Sequence, residues 1–507
     1  MAVQGIRSPA PIGLSALAPS FWRPSWPLLV ALYVYLLTLY QGNVLNLLLL
    51  DGDTYWHIAA GQWILHNGVV PTADPFSHTM PGAPWTAHEW LSEVVLALAH
   101  DHGGWTAVVA LTGLAFAASA GLLMRALLAH MQPVRALMLT VMAVLLTVQH
   151  LLARPHMIAL PFMMLWMIGL VQARDRGHTP SLWLLPVMVL WANLHGGFTL
   201  GIAFAGWFAL EAVAQAWGTP RMRKAIAGWG LFVALAAGSA LLTPHGPQAF
   251  IFTWQVLMEE QYALSRISEW ASPNFHAFQP LQLWLLGGLA LALYQGLRLP
   301  VFRLVLLLGL LHLSLKHVRY IELLGLLGPL VVAKSFGEQW AASPADPKEP
   351  SRLDRLSAAL AGSSSAGALV AALTVAVGAP LLLAAAKPLQ PPAFAAPQAA
   401  LQAARDAGVA EGHVLNAYGW GGYLIYSGIP VAIDGRADMY REAFLREFLT
   451  GTELTAPGAL DKLLDKYRIG WTLLPPETPA VSLLDRLPGW QRIHSDTTAV
   501  VHARKNP

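Results

Sequence analysis

Asp51-Gly-Asp-Thr-Tyr-Trp-His-Ile-Ala-Ala-Gly61 follows an apolar run from Leu28 to Leu50. That run is long enough to cross a bilayer, which takes about 20 apolar residues. Two carboxylates therefore stand where a helix is expected to leave the membrane, on the side away from the start of the chain. Ionised groups there are costly unless they face water or a polar cavity, so they read as functional. The plainer reading is that Asp51 and Asp53 only mark the water boundary. A single Asp would not decide between the two.

Composition supports a membrane reading of this stretch. Of 507 residues, 55% are hydrophobic and 12% charged, and mean hydropathy is +0.50. A soluble globular chain carries roughly 25% charged residues. Half that, with many long apolar runs, indicates an integral membrane protein with the lipid bilayer as its solvent. The first run lacks a small-residue cleavage site soon after it, so it is expected to remain as an anchor. The absence of cysteine excludes disulfides, thiolate metal sites and Cys nucleophiles. A net charge of +3 is too small to suggest a nucleic-acid partner.

About eleven crossings are expected, near 28–50, 105–129, 134–152, 156–173, 181–194, 197–217, 225–243, 281–297, 299–315, 319–335 and 365–386. The fifth is short, so a tilted, broken or re-entrant segment is expected there. One set of connections holds Arg7, Arg23, Arg125, Arg135, Arg174, Arg176, Arg221, Arg223, Lys224, Arg298, Arg303, Lys334, Lys348, Arg352 and Arg355. The opposite set holds Arg154, Arg266, Lys316 and Arg319. The positive-inside rule then places the N-terminus in the cytoplasm. An odd number of crossings puts both the 51–104 loop and the C-terminal segment outside. Residues 337–360 read as a solvated cytoplasmic connector.

This topology sorts the histidines. Thirteen of eighteen fall in outer loops or outer membrane halves: His57, His66, His78, His88, His100, His102, His150, His156, His195, His245, His276, His312 and His317. A lone histidine is usually a satisfied structural group. Their accumulation on one face suggests a polar, hydrated cavity opening outward.

The domain plan is a transmembrane domain over 1–386, a Pro- and Ala-rich linker over 387–396 and a small extracytoplasmic α/β domain over 397–507. About 110 residues suffice for such a domain. His413–Ala417, Tyr423–Tyr426, Val431–Ile433, Trp471–Leu474 and Ala499–Val501 read as short strands. Arg441–Leu449 and Ala459–Tyr467 read as amphipathic helices. Gly419-Trp-Gly-Gly-Tyr423 reads as a tight turn feeding a strand. Asp434-Gly-Arg-Ala-Asp438 reads either as a structural Asp–Arg pair or as a loop that binds an acceptor or closes over the cavity.

The outer loop carries the chemistry. Asp51, Asp53, Tyr55, His57, Asp74, His88, Glu89 and Glu93 are interleaved with tryptophans. Such aromatics stack on sugar faces, and they also form membrane-interface belts. A carboxylate here can act as general base toward an acceptor hydroxyl. Two carboxylates two residues apart can also hold a divalent cation, Mg²⁺ or Mn²⁺, with His88, Glu89 and Glu93 nearby to complete the site. Arg154, Lys316 and Arg319 are fixed cations at the outer boundary, suited either to a lipid-linked phosphate or to snorkelling among headgroups. Asn193 and His195, beside Gly196 and Gly197, are expected to line the same cavity.

On these residues the chain resembles the GT-C superfamily of membrane glycosyltransferases. Asp51, Tyr55 and Ala59 have the spacing of the first outer loop in protein mannosyltransferases and aminoarabinose transferases, with Gly52 where those have Glu. Asp53-Thr-Tyr-Trp-His57 resembles the corresponding loop of oligosaccharyltransferase catalytic subunits, with Thr54 for Pro. The two alignments choose different aspartates, and the denser local match favours Asp53. Asp74-Pro-Phe-Ser77, His88-Glu-Trp-Leu91, Arg154-Pro155, Asn193-Leu-His-Gly196, Gly419-Trp-Gly-Gly-Tyr423 and Asp434-Gly-Arg-Ala-Asp438 resemble segments of a poorly characterised bacterial group with this architecture.

The resemblance implies a multi-pass protein of the bacterial inner membrane. It implies transfer of a hexosyl or pentosyl group from a polyprenyl-phosphate-linked donor to a glycan, lipid or protein acceptor on the outer face. In that reading Asp53 or Asp51 is the base, Glu89 and His88 orient the base or a metal, and Arg154, Lys316 and Arg319 hold the phosphate. Tyr55, His57, Asn193 and His195 complete the substrate site. A glycolipid flippase or a non-catalytic assembly component would use the same cations without chemistry. The lack of an evident internal repeat speaks against a transporter.

Overall fold

The computed structural model describes residues 20–258, 268–340 and 351–505. Arg7, Arg266 and Lys348, used above to orient the crossings, lie outside these residues.

The first apolar run is not one helix up to the acids. Helix α1 (Trp26–Asn43) starts at Ser25, whose Oγ accepts the Leu28 N–H at 3.4 Å. It ends seven residues before Leu50, and the chain continues as irregular backbone with Leu48 and Leu49 fully buried. Asp53 then opens a helix of its own, α2 (Asp53–Asn67). The acids thus stand at a helix N-terminus rather than at the end of a span. There the backbone N–H groups favour negative charge.

Helix α3 (Trp90–Leu128) is kinked at Gly103 and Gly104. Gly104 has φ +60° and ψ −159°, a conformation essentially reserved for glycine. The kink separates the limb that begins at Trp90 from the apolar limb that packs on α1. Helices α4 (Pro133–Thr147), α5 (Pro155–Asp175), α6 (Leu184–Leu194), α7 (Phe198–Ala216), α8 (Met222–Ala240) and α9 (Gln248–Met258) follow. Then come α10 (Pro280–Gln295), α11 (Val301–Lys316), α12 (Ile321–Gln339), α13 (Arg352–Ala359) and α14 (Ala366–Ala386). Each expected crossing overlaps a helix, the first only as far as Asn43. Among the described residues six helices are long and apolar enough to cross a membrane: Trp90–Leu128, Pro133–His150, Pro155–Asp175, Phe198–Ala216, Val318–Gln339 and Ala366–Ala386. The fifth expected crossing is indeed a short apolar helix, Leu184–Leu194.

At the end of the bundle away from the acids, Arg303 is buried between Glu211 (3.2 Å) and Asp175 (2.9 Å). This pairing lets charges from three helices sit inside the packing.

The C-terminal part begins with α15 (Gln398–Asp406) and builds a four-stranded sheet. The strands are β1 (His413–Asn416), β2 (Ile469–Leu474), β3 (Trp490–Ser495) and β4 (Val500–Arg504), in the order β1-β2-β4-β3. β1 and β2 are parallel, with Val414 opposite Trp471; β4 runs antiparallel to both of its neighbours. The expected strands at 413, 471 and 499 are present. Tyr423–Tyr426 is instead the end of a short helix, α16 (Gly421–Tyr426), so Gly419-Trp-Gly-Gly-Tyr423 feeds a helix and not a strand. Four consecutive apolar residues, three of them buried and Tyr426 partly so, carry no period, which is why the two forms could not be told apart. Val431–Ile433 pairs with the outer loop and not with the sheet. The Val431 N–H donates to Phe76 O at 3.2 Å, and the His78 N–H donates to Val431 O at 3.0 Å. Helices α17 (Ala437–Thr452) and α18 (Ala459–Lys466) cover the expected amphipathic segments.

The outer loop and the C-terminal part share one hydrophobic core. Tyr55, Trp56, Ala60, Trp85 and Ala87 pack with Leu424, Ile433, Trp471 and Val501. A buried ion network crosses the same boundary. Arg436 binds Asp74 and Asp434 at 2.6 Å each and lies over the Trp85 ring, 4.8 Å from its centroid. The Tyr440 hydroxyl donates to Asp434 at 2.7 Å. This is the Asp–Arg pair expected in that motif, with a second aspartate supplied by Asp74-Pro-Phe-Ser77.

Candidate active site

The site is built around two carboxylates and an arginine. Asp51 accepts the Asp53 N–H at 3.0 Å and so closes the turn over Gly52. Pro155 opens α5 and holds Arg154 extended, at φ −124° and ψ 163°. The Ala153 N–H donates to Leu48 O at 3.1 Å, which fixes this segment beside the first loop. The Arg154 side chain then reaches both acids. Its Nη2 contacts Asp51 and lies 2.9 Å from Asp53, while Nη1 donates to Glu269 at 2.7 Å. The C-terminal part closes over this centre. A Cβ added at Gly435 would run into the Asp53 carboxylate, and one at Gly52 into the Gly419 carbonyl.

A second polar centre surrounds Glu89. Its oxygens lie 3.3 Å from His195 Nε2, 3.7 Å from His88 Nε2 and 3.8 Å from His57 Nε2. Behind His57, Nδ1 lies 3.5 Å from buried Glu93. The Gly197 N–H donates to His195 Nδ1 at 3.0 Å, which leaves the proton of the neutral ring on Nε2, toward Glu89. Asp438, from the start of α17, acts electrostatically on His88.

Both centres line one cavity of about 1090 Å³. Its walls include Asp51, Asp53, His57, His88, Glu89, Arg154, His195 and Arg319, so eight of the eleven expected site residues come together. Five of the histidines expected on the outer face line it: His57, His88, His150, His156 and His195. Three expected residues are placed elsewhere. Tyr55 is buried among Trp105, Tyr423 and Tyr426, with ring centroids 5.1 to 5.8 Å away, where it packs α2 against α3 and α16. Asn193 is a clamp: Trp90 donates to its Oδ1 at 2.8 Å, and its Nδ2 donates to the Val189 and Leu242 carbonyls. Lys316 is exposed at the end of α11 and is not part of the lining.

Among the lining residues that the sequence did not point to are Glu269, Trp270, Tyr418 and Glu322. Glu269-Trp270 is an acid beside an aromatic in a polar outer connection, the same signature that singled out the first loop. Trp270 carries Arg319 on its face, 4.6 Å from the ring centroid. Among the described residues Arg319 makes no direct ion pair or hydrogen bond, and it acts on Glu89, Glu269 and Glu322 only through its charge.

Burial dominates the acid–base behaviour. It pushes Asp53 up to about 7 even though Arg154 pulls the other way. Glu89 is also raised by burial to about 7, against the pull of Arg319 and Arg154. Asp438 is raised by burial to about 6, opposed by His88. Burial lowers His57, His88 and His195, so these rings are neutral at pH 7. Burial works to raise Glu269, but Arg154 and Arg319 outweigh it and its net shift is downward. Arg154 shows the mirror image: burial opposes its charge, and Asp51, Asp53 and Glu269 more than restore it.

A divalent cation fits this arrangement poorly. Mg²⁺ and Mn²⁺ take several oxygen ligands around one point. Here Asp51, Asp53 and Glu269 all converge on the guanidinium of Arg154. Around Glu89, the proton on His195 Nε2 removes that nitrogen as a ligand. Among the described residues no three acidic or histidine side chains are grouped to hold an ion.

No family model matches the chain, and no curated protein matches its sequence. Solved structures do. The Archaeoglobus fulgidus oligosaccharyltransferase AglB, in complex with an inhibitory peptide and a dolichol-phosphate, superposes with a TM-score of 0.54 at 11% identity, covering 89% of this chain and 69% of that one. Its apo form gives 0.55 at 10%, covering 88% and 69%. ArnT from Cupriavidus metallidurans, bound to undecaprenyl phosphate, gives 0.50 at 16%, covering 97% and 98%. The chain has the GT-C fold. The match to ArnT runs nearly end to end, so the GT-C architecture here includes the C-terminal part.

Proposed function

We propose that this protein is a membrane glycosyltransferase that takes a hexosyl or pentosyl group from a polyprenyl-phosphate-linked donor. The observation that carries the reading is one cavity that brings Asp53, pushed up by burial to about 7, together with Arg319, a guanidinium that makes no direct ion pair among the described residues. Asp53 is the base. It accepts the proton of an acceptor hydroxyl, whose oxygen attacks the anomeric carbon. The bond from that carbon to the donor phosphate oxygen breaks, and the polyprenyl phosphate leaves with the electron pair. Arg319 holds the phosphate and stabilises the charge that develops on it. Arg154 keeps Asp51 and Asp53 together despite their like charge, and Asp51 shapes the turn that presents Asp53. Glu89 and the neutral histidines form the opposing polar wall, where acceptor hydroxyls find donors and acceptors of hydrogen bonds.

The fold and the cavity support placing the reaction on the outer face of a bacterial inner membrane. In this reading about eleven helices cross, the N-terminus is cytoplasmic, and the C-terminal part is extracytoplasmic, with an envelope glycan, lipid or protein as acceptor. The likeness to proteins solved with dolichol-phosphate and undecaprenyl phosphate supports the donor class. The test is mass spectrometry of envelope glycans from a deletion strain complemented with the wild type, Asp51→Asn, Asp53→Asn or the double variant. Wild type restores a missing sugar and Asp53→Asn does not. Full restoration by the double variant would remove both carboxylates from the mechanism.

A further inference from the structure

We propose that Arg154 takes the place of a divalent cation in the acidic centre, so that sugar transfer by this protein requires no metal ion. The inference rests on the glycosyltransferase reading for its chemistry but not for its geometry. Asp51 and Asp53 come from the first outer loop and Glu269 from the connection before α10, and all three turn their oxygens toward one guanidinium. A hard divalent ion bound by the same oxygens would need them at about 2.0–2.6 Å, and so would sit where the two Nη atoms now are. The guanidinium and the ion are therefore alternatives.

Arg154 is built in rather than draped over the site. Pro155 fixes its backbone, the 151–154 segment is tied to Leu48, and only 19% of its side chain is exposed. An arginine keeps its charge at any physiological pH. It therefore offsets the repulsion between Asp51 and Asp53 permanently, as a bound ion would, without depending on ion supply. Its planar fork also holds several carboxylates in defined directions, which a spherical ion does not.

The test is Mn²⁺ binding to the purified full-length protein, followed by electron paramagnetic resonance, beside sugar transfer measured in chelator. Wild type and Arg154→Lys are expected to bind no stoichiometric Mn²⁺, and wild-type transfer is expected to persist in EDTA. Arg154→Ala vacates the cradle and is expected to gain one Mn²⁺ per chain, lost again when Asp51→Asn and Asp53→Asn are added. One Mn²⁺ per chain in the wild type, abolished by those two Asn substitutions, would overturn the proposal. So would wild-type transfer that stops in EDTA and returns with Mn²⁺. If Arg154→Ala does not fold, the wild-type and Arg154→Lys measurements decide alone. The expected Mn²⁺ pattern in a protein that transfers no sugar would sink the glycosyltransferase reading and leave Arg154 as the built-in cation.

Discussion

Asp53 differs from Asp51 by what holds it. Asp51 accepts the Asp53 N–H and contacts Arg154, so its oxygens are occupied in shaping the turn. Asp53 keeps 23% of its side chain open and is raised by burial from 3.8 to about 7. A general base works best with a pKa near the working pH. The base must be deprotonated, so log kcat/KM should rise with pH through about 7 and level off above it. An acid limb that stays below pH 5, with no inflection near 7, would contradict this. Linkage gives the matching sign for stability. The folded state retains a proton on Asp53 that the unfolded chain releases near 3.8, so this group lowers stability as pH rises from about 4 to 7.

Much at this scale was legible. Charged residues are scarce in so apolar a chain, and most of those expected at the outer boundary converge: Asp51, Asp53, Glu89, Arg154 and Arg319. Motif spacing points Tyr55 at the substrate, whereas its burial against Trp105 and Tyr426 sets it off the cavity lining. Lys316 and Arg319 are near neighbours in sequence, but the helix ends between them and only Arg319 turns toward Trp270. Glu269 could not be paired from sequence, since its partner Arg154 lies 115 residues away.

Among the elements, the decisive one is the helix that Asp53 opens. A continuous apolar run looks like one span, yet irregular backbone breaks it after Asn43 and lets α2 start at the acids. The glycines of the C-terminal motifs then have a purpose that sequence alone hid. They are not turns feeding strands; they let the backbone at 419–422 and 435 come into contact with the backbone at Gly52 and the carboxylate of Asp53. Gly435→Ala should therefore displace Asp53 and lower kcat to the range of Asp53→Asn, while the protein still folds and reaches the membrane. Gly470→Ala, whose Cβ meets only atoms 3.9 Å away, is the control. Wild-type kcat for Gly435→Ala would show that Asp53 needs no such contact. The short helix α16 and the 431–433 segment escaped sequence reading because both take their form from partners far along the chain.

For the whole molecule, the outer loop and the C-terminal part act as one body over the membrane helices. Their shared core and the Asp74–Arg436–Asp434 network hold the roof of the cavity in register with its floor. The floor is set by Arg154 at the start of α5 and Arg319 before α12. Catalysis in this account depends on that alignment, because the base lies in the roof while the phosphate ligand belongs to the floor. The most direct measurement is release of polyprenyl phosphate by the purified protein in lipid vesicles, given polyprenyl-phosphate-linked sugars and envelope extract as acceptor. Release coupled to a glycosylated product is expected, slowed about 10²–10⁴-fold by Asp53→Asn, the range typical of losing a positioned proton acceptor. Undiminished release by Asp53→Asn would contradict it, as would movement of the intact lipid across the vesicle with no release at all.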